Sequence, residues 1–309
     1  MNTTTYAAPW SRPQALAATI LWLVLTAPVW ASTRSFNAQK PADPAGTVEV
    51  INVEGTIEIS GWDQPTVDVT GTIGSKVERV DVTSNANHTT VRVVLPSGNN
   101  WGSDGDSSAH LKIRVPQKSE LEVSLVSSDL RVSGVTGNQH LQTVSGDIAG
   151  DVGGDLQIST VSGDVHLATH NSHNTQFKTV SGDVSITGAD GTMQGNSVSG
   201  DTLVTAGNLS RAHFESVSGD VNVTAAALAA SGQFEATSVS GDLQVHFVAL
   251  PDADIDVQSF SGDITNCFGP KAVEQQYGPG SRLNFRNGKG GGHIHIDTKS
   301  GDVELCGAK

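Results

Sequence analysis

The chain has 309 residues, with 32 acidic against 18 basic side chains, and its formal net charge is −14. An acidic chain repels the phosphate groups that dominate nucleic-acid affinity, so the composition argues against a nucleic-acid partner. With 34 Gly and only two Cys, the chain is neither a collagen, which needs Gly at every third position, nor a disulfide-stapled miniprotein.

Residues 1–31 have the organisation of a secretory signal peptide. Arg12 is the only charged side chain, and residues 15–25 are apolar apart from one Thr. Val29 and Ala31 then supply small residues at the −3 and −1 positions of a cleavage site. The apolar run is shorter than the roughly 20 residues that span a bilayer, and no second long apolar segment follows. This pattern predicts an exported mature chain, periplasmic or extracellular, without a transmembrane segment.

Residues 32–45 are interpreted as a short linker, and residues 46–124 as an N-terminal β region. Apolar and polar residues alternate along five segments of this region with a period of two, which is typical of half-buried strands. The five segments are residues 47–51, 56–59, 67–69, 91–94 and 111–115. We expect them to form irregular early rungs of the repeat that follows, or a β cap continuous with it.

Residues 125–309 contain the strongest pattern, a Ser-Gly-Asp tripeptide that occurs eight times after a degenerate copy ending in Asp129. Successive aspartates are 17–22 residues apart, except for one gap of 39. A nearly fixed period of this length is typical of repeat architectures. The aspartates of the exact copies are Asp147, Asp164, Asp183, Asp201, Asp220, Asp242, Asp263 and Asp302.

Each copy of the repeat reads as two short strands that meet at a corner. In the copy around Asp220, Val217 and Gly219 share one alternating phase, whereas Phe214 and Ser216 share the other. The alternation predicts that the buried face switches between Ser216 and Val217. The Val and the Gly of each Val-Ser-Gly-Asp copy should then both point into the core.

Two strands per repeat cannot bury an apolar face alone, whereas stacked repeats can. We therefore predict an all-β fold, a parallel β-solenoid (β-helix) with rungs of about 18–22 residues and an irregular N-terminal β cap. The Gly of each tripeptide should lie where a side chain would crowd the neighbouring rung. Lys299 replaces the Val of the last copy, which predicts that this copy is the terminal, capping rung. The alternative is an antiparallel β-sandwich with Ser-Gly-Asp in its hairpin turns.

Three motifs occur together in the chain: Gly-Trp-Asp at 61–63, Val-Pro at 115–116, and a series of Val-Ser-Gly-Asp-Val copies whose last relative is residues 299–305. Together they resemble the "putative adhesin" family of exported bacterial β-strand-repeat domains, over roughly residues 46–306. The resemblance implies a β-solenoid in the cell envelope. It carries no catalytic or ligand-binding residue over to this chain.

The eight aspartates are expected to form a ladder with one carboxylate per rung. Carboxylates about 5 Å apart repel each other by about 1 kcal/mol in water, so a favourable interaction must offset the repulsion. Each Asp either accepts hydrogen bonds from Ser or backbone N–H groups of its own turn, or the ladder binds a divalent cation such as calcium. The chain lacks a series of calcium-binding Gly-Gly-x-Gly-x-Asp nonapeptides. Capping is therefore favoured, and no cofactor is predicted.

Five histidines form two groups, His166, His170 and His173 beside one rung, and His293 and His295 on one strand face. Imidazole pairs bind zinc or copper. Neither group has a Cys, Asp or Glu at a metal-motif spacing, so we interpret all five as solvated polar positions.

Cys267 and Cys306 are a disulfide candidate, because each lies four residues after its tripeptide Asp. If residues 268–292 are an excursion, the two rungs are adjacent and a Cα separation of about 5 Å suits the bond. If another full rung intervenes, the separation of about 10 Å excludes it. An oxidising compartment favours pairing.

Catalytic motifs are lacking: there is no Gly-x-Ser-x-Gly elbow, no phosphate loop and no carboxylate pair that stands out from the repeat. The sequence favours an exported, non-catalytic scaffold or binding protein of the cell envelope, adhesin-like in its regular surface. An envelope glycan, a protein partner or another copy of the chain would bind that surface. The alternatives are a polysaccharide-active β-helix enzyme and a calcium-dependent binding protein.

Overall fold

The computed structural model describes residues 33–85, 87–96, 105–274 and 280–307. The expected signal peptide, residues 1–31, lies outside the described residues. The regular secondary structure of the described residues consists of strands alone. No helix in this part of the chain is long and apolar enough to cross a membrane.

The strands fall into an N-terminal, a central and a C-terminal set. The N-terminal strands are β1 (Arg34–Pro41), β2 (Thr47–Trp62), β3 (Thr66–Ile73), β4 (Arg79–Asn85), β5 (His88–Val94) and β6 (Ala109–Pro116). The central strands are β7 (Glu120–Val135), β8 (Gln139–Ser145), β9 (Ile148–Gly153), β10 (Leu156–Ser162), β11 (Val165–His170), β12 (Asn174–Ser181), β13 (Val184–Ser199), β14 (Thr202–Ser218), β15 (Val221–Ser240) and β16 (Leu243–Phe247). The C-terminal strands are β17 (Ala253–Ser259), β18 (Ile264–Asn266), β19 (Val273–Glu274), β20 (Ser281–Asn287), β21 (Gly292–Ser300) and β22 (Val303–Gly307).

Consecutive copies of the repeat pair in parallel and in register, in a solenoid-like stack. Each copy has a leading strand that ends at the Ser of the tripeptide and a trailing strand that starts after its Asp. In the leading strands, Ile158 pairs with Leu141 on one side and Phe177 on the other. In the trailing strands, Val165 pairs with residues of the two neighbouring rungs in the same way. The antiparallel sandwich is therefore wrong for the repeat region.

One continuous core lies between the leading and trailing strands, because alternate residues of both are buried. Four rings from three rungs lie in a row through it, with centroid distances of 6.4 Å from Phe177 to Phe214, 6.0 Å from Phe214 to Phe234 and 5.9 Å from Phe234 to Phe247. Gly195 leaves room for two of these rings, since a Cβ there would lie 2.8 Å from Cδ1 of Phe214. The few aromatic residues thus fill the wide middle of the stack.

The N-terminal end departs from chain order. The β2 strand pairs in parallel with β7 on one side, and with β5 and β6 on the other. Antiparallel strands then close this end: β3 pairs with β6, β4 with β5, and β1 with β3. The interpretation of residues 32–45 as a linker is wrong over Arg34–Pro41, because that segment forms β1.

The C-terminal end is also out of chain order. The last strands, β21 and β22, pair with β15 and β16 on one side and with β17 and β18 on the other. The antiparallel strand β20 covers the outer edge of β17. The prediction that the copy with Lys299 is the terminal rung is therefore wrong, because this copy lies between two earlier ones. Lys299 itself is exposed.

Candidate functional site

The Ser-Gly-Asp corners of successive rungs form one edge of the stack, and Gly is required there by close backbone approach. Gly219 has a φ of +117°, a conformation that residues with a Cβ rarely adopt. A Cβ at Gly219 would overlap the carbonyl group of Gly200 in the adjacent rung, at 2.7 Å from its carbon. The same overlap recurs at the Gly of the other exact copies, as the sequence predicted.

The aspartates of the corners form the expected ladder, but each carboxylate bonds to the next rung rather than to its own turn. Oδ1 of Asp201 accepts the backbone N–H of Asp220 at 2.9 Å, and Oδ1 of Asp220 accepts that of Asp242 at 2.9 Å. Equivalent bonds of 2.8–3.1 Å connect the remaining rungs from Asp129 to Asp263. A charge-assisted bond at each step offsets the repulsion between neighbouring carboxylates.

The Val of each Val-Ser-Gly-Asp copy points to solvent, so the prediction that it faces the core is wrong. Ser216 is buried with 6% exposure, whereas Val217 is 49% exposed. The alternation between inward and outward side chains changes phase between the Val and the residue after the Asp. The inward position is taken by the hydroxyl residue before the Val, as at Thr160 and Thr179.

These outward side chains form an apolar row, which we call the valine ladder. Its members lie in register on successive rungs and are 36–60% exposed: Val53, Val126, Val144, Val161, Val180, Val198, Val217, Val239 and Phe260. Lys299 interrupts the row between Val239 and Phe260. At about 4.8 Å per rung the row is roughly 40 Å long, and the exposed Ser residues and the Asp ladder follow it at the same corners. An apolar row of this length, bordered by polar residues, is typical of an interaction surface.

A groove of about 590 Å³ lies on the outer face of the trailing strands near the N-terminal end. Its lining includes the carboxylates of Glu58 and Asp151. Each has a partner, since Lys112 Nζ lies 3.0 Å from Glu58 and His170 Nε2 lies 3.1 Å from Asp151. Both carboxylates in the lining are therefore paired with a basic side chain.

The first histidine group is not brought together. His170 pairs with Asp151 of the neighbouring rung, and the backbone N–H of His173 bonds to Asp155 at 3.2 Å. No bond among the described residues joins His166 to either of them. In the second group, the rings of His293 and His295 stack on the outward face of β21, 6.4 Å apart.

Two arginines of β20 face carboxylates of β17 beside the second group. Arg286 bonds to Asp254 at 2.5 and 2.9 Å, and Arg282 lies 3.3 Å from Asp256. The hydrogen bond from the Arg286 guanidinium lowers the pKa of the Asp254 carboxyl below its usual value. The repeat pattern did not predict these pairs, because β20 is antiparallel to the strands of the repeat.

Cys267 and Cys306 lie in adjacent rungs, since residues 264–266 pair directly with residues 303–305. Their Cα atoms are 4.8 Å apart and their sulfur atoms are joined in a disulfide. No rung intervenes, because residues 281–287 form the antiparallel strand β20 on the outer edge of β17. His246 and Glu304 lie near Cys306, but a sulfur in a disulfide is not the thiolate that a metal ion binds.

Comparison with known proteins agrees with this architecture. Residues 47–306 match the model of the family described as Toastrack DUF4097. The chain is similar to a "putative lipid binding protein" from Parabacteroides distasonis ATCC 8503, with 11% identity, a TM-score of 0.50, and coverage of 88% of this chain and 96% of that one. A "putative adhesin" from Bacteroides fragilis NCTC 9343 is 11% identical, with a TM-score of 0.42 and coverage of 89% and 99%. The chain has no match among curated proteins.

Proposed function

Because the chain belongs to the Toastrack DUF4097 family, we propose that it is an exported, non-catalytic binding protein of the cell envelope with an adhesin-like role. Solved proteins of similar fold are described as a putative adhesin and a putative lipid binding protein. The observation that carries the proposal is the valine ladder, which presents one apolar side chain per rung at a rigid corner.

The energetics of the ladder require a partner that spans several rungs. Full burial of a Val side chain contributes about 1.5–3 kcal/mol, and each ladder Val is already about half buried, so covering one gains roughly 1 kcal/mol. Association costs on the order of 4–15 kcal/mol in lost freedom. Contact with only two or three rungs therefore cannot hold a partner, whereas contact with most of the row can.

The charge beside the ladder selects the chemistry of the partner. The Asp ladder runs along the same corners, and the chain as a whole carries −14, so a second copy or an anionic surface would be repelled. The row contains one aromatic ring, that of Phe260. A row with a single ring is poorly suited to stacking against sugars. A basic amphipathic polypeptide helix satisfies both features, since its apolar residues recur about every 5.4 Å, close to the rung spacing of about 4.8 Å.

A synthetic helix of about 21 Leu and Lys residues, with one leucine face, is about 30 Å long and covers six or seven rungs. We expect it to bind the chain, and the variant V161S/V180S/V198S/V217S to weaken binding at least tenfold. The control V248S/L250S/V273S removes exposed apolar side chains that are not members of the ladder and should bind like the parent chain. A Leu and Glu helix of equal length should not bind.

Equal affinity of the ladder variant and the parent chain would contradict the proposal. The proposal would also be contradicted if the parent chain and the ladder variant were both retained on insoluble envelope glycan, because the binding surface would then lie outside the valine ladder. Circular dichroism spectra and unfolding midpoints of both variants establish that the fold is intact.

A further inference from the structure

Two imidazoles lie side by side on the outward face of β21. His293 and His295 are two residues apart on one strand, so they project from the same face. Their rings are parallel within 4° and their centroids are 6.4 Å apart. An ion bound about 2.0–2.1 Å from one nitrogen of each ring holds the centroids roughly 5–6 Å apart. Because an ion lies in the plane of each imidazole that binds it, the two parallel rings must turn about their side-chain torsions to share one ion, and His293 is exposed enough to do so.

The out-of-order position of β21 places a carboxylate on each side of this pair. In the register of the sheet, Glu235 of β15 lies beside His295 on one side and Asp256 of β17 lies beside it on the other. Strands about 4.8 Å apart place both carboxylates on the strands that flank the histidine pair. The ligand atoms of these residues do not yet converge within 4.8 Å of one another, so their side chains must turn inward when an ion binds. Glu235 and His295 are 60 residues apart in the chain, so no local motif spacing contains them.

Asp256 is placed to orient the His295 ring. Its Oδ2 lies 3.8 Å from Nδ1 of His295, while its Oδ1 lies 3.3 Å from Arg282 and 3.5 Å from the amide of Asn284. This separation is longer than a hydrogen bond. When the His295 ring turns toward an ion, a closer approach of Asp256 to Nδ1 would keep the proton there and leave Nε2 as the nitrogen that binds the metal.

Glu235 has one oxygen available on the other side. Its Oε2 lies 3.2 Å from Nδ1 of His213, and Nε2 of the same ring lies 3.1 Å from Glu215. Both nitrogens of His213 are therefore engaged by carboxylates. Oε1 of Glu235 has no hydrogen bond among the described residues and is the oxygen left to bind an ion.

We propose that His293, His295 and Glu235 bind a divalent transition-metal ion of the zinc class, with Asp256 as the positioning residue of His295. Two imidazoles and one carboxylate suit Zn²⁺, Ni²⁺ or Cu²⁺. Calcium prefers six to eight oxygen ligands, so it does not compete for this donor set. Water completes the coordination, and the site is independent of the valine ladder.

The test is a calorimetric titration of ZnCl₂ into the untagged chain, with CaCl₂ as a second probe. We expect one zinc ion per chain, no heat from calcium, and a loss of zinc affinity of at least tenfold in H293A/H295A. The matched control H88A/H110A also removes two exposed imidazoles, but from different strands, and should keep the parent affinity. Asp256→Asn and Glu235→Gln should each weaken binding about tenfold.

Electron paramagnetic resonance of the Cu²⁺-loaded chain supplies a second readout. Two coordinated imidazole nitrogens should appear in the parent chain and in H88A/H110A, and should disappear in H293A/H295A. Unchanged zinc affinity in H293A/H295A, an equal loss in the control, or no zinc binding by the parent chain would each overturn the proposal. Unfolding midpoints of the variants separate loss of the site from loss of the fold.

Discussion

Substitution of a corner glycine tests whether close approach of the rungs fixes Ser-Gly-Asp. In Gly219→Ala, the new Cβ would overlap the carbonyl group of Gly200, and the backbone would keep a φ of +117°. A strained backbone conformation costs about 1–3 kcal/mol, and forced overpacking costs about 1–3 kcal/mol more. We therefore expect the free energy of unfolding to fall by about 2–6 kcal/mol.

Two controls separate the contributions. In Gly134→Ala the φ of +66° is also left-handed, but the nearest atoms lie 3.9 Å from the new Cβ, so only the backbone term of about 1–2 kcal/mol remains. In Ser218→Ala the side chain is exposed, and the change should stay within about 0.5 kcal/mol.

Thermal and urea unfolding, followed by circular dichroism, measure these differences. With roughly 2–4 °C per kcal/mol for a domain of this class, the midpoint of Gly219→Ala should fall by roughly 5–20 °C. A midpoint equal to that of Ser218→Ala would refute close approach as the reason for Gly. A fall equal to that of Gly134→Ala would assign the whole effect to φ.

Four further results are expected. Asp220→Ala removes an acceptor of the ladder and should lower the free energy of unfolding by about 1 kcal/mol. Asp220→Asn keeps the acceptor but removes a charge, and should leave the free energy of unfolding unchanged at low salt. Equal losses of stability in the two variants would show that the charge, not the hydrogen bond, matters. The disulfide of Cys267 and Cys306 closes a segment of 39 residues, so reduction should cost up to about 4 kcal/mol; two free thiols by mass spectrometry of the chain exported to an oxidising compartment would contradict the pairing. Millimolar calcium should leave the unfolding midpoint unchanged relative to EDTA, since a bound ion at 100 times its Kd would add about 2.7 kcal/mol. Arg286→Gln should raise the pKa of Asp254, measured by NMR titration, and an unshifted pKa would refute the assignment. Because the pKa is lowered in the parent chain, the ion pair stabilises the fold above the unfolded-state pKa of Asp254. That contribution is lost as the pH falls through the folded-state pKa.

The sequence determined the repeating unit, because the forces that shape it act over a few residues. Period-two alternation defines the leading and trailing strands, and stacking is the way in which two-stranded copies bury their apolar faces. The backbone overlap expected of any side chain at Gly219 could also be inferred, since a Gly recurring at one place in every turn indicates close approach.

The sequence could not determine which residues of the corner face the core. In Thr160 to Val165, alternation fits both with Thr160 inward and with Val161 inward, since a β-branched residue occupies either phase. Only the path of the backbone round the Gly decides that Val161 is exposed and Thr160 buried. The valine ladder, and with it the candidate binding edge, is therefore a product of the tertiary structure.

The order of the rungs at the two ends was likewise decided by the tertiary structure. Similar copies present similar edges, so the local pattern allows β21 to pair with any exposed copy. The connection between β18 and β21 is long enough to form β20 against β17, and the last copy then fills the place between β15 and β17. That placement brings Glu235 and Asp256 to the two sides of His295. Short-range sterics and alternation thus fixed the fold of each copy, whereas the proposed binding surfaces depend on long-range pairing that the copies themselves do not encode.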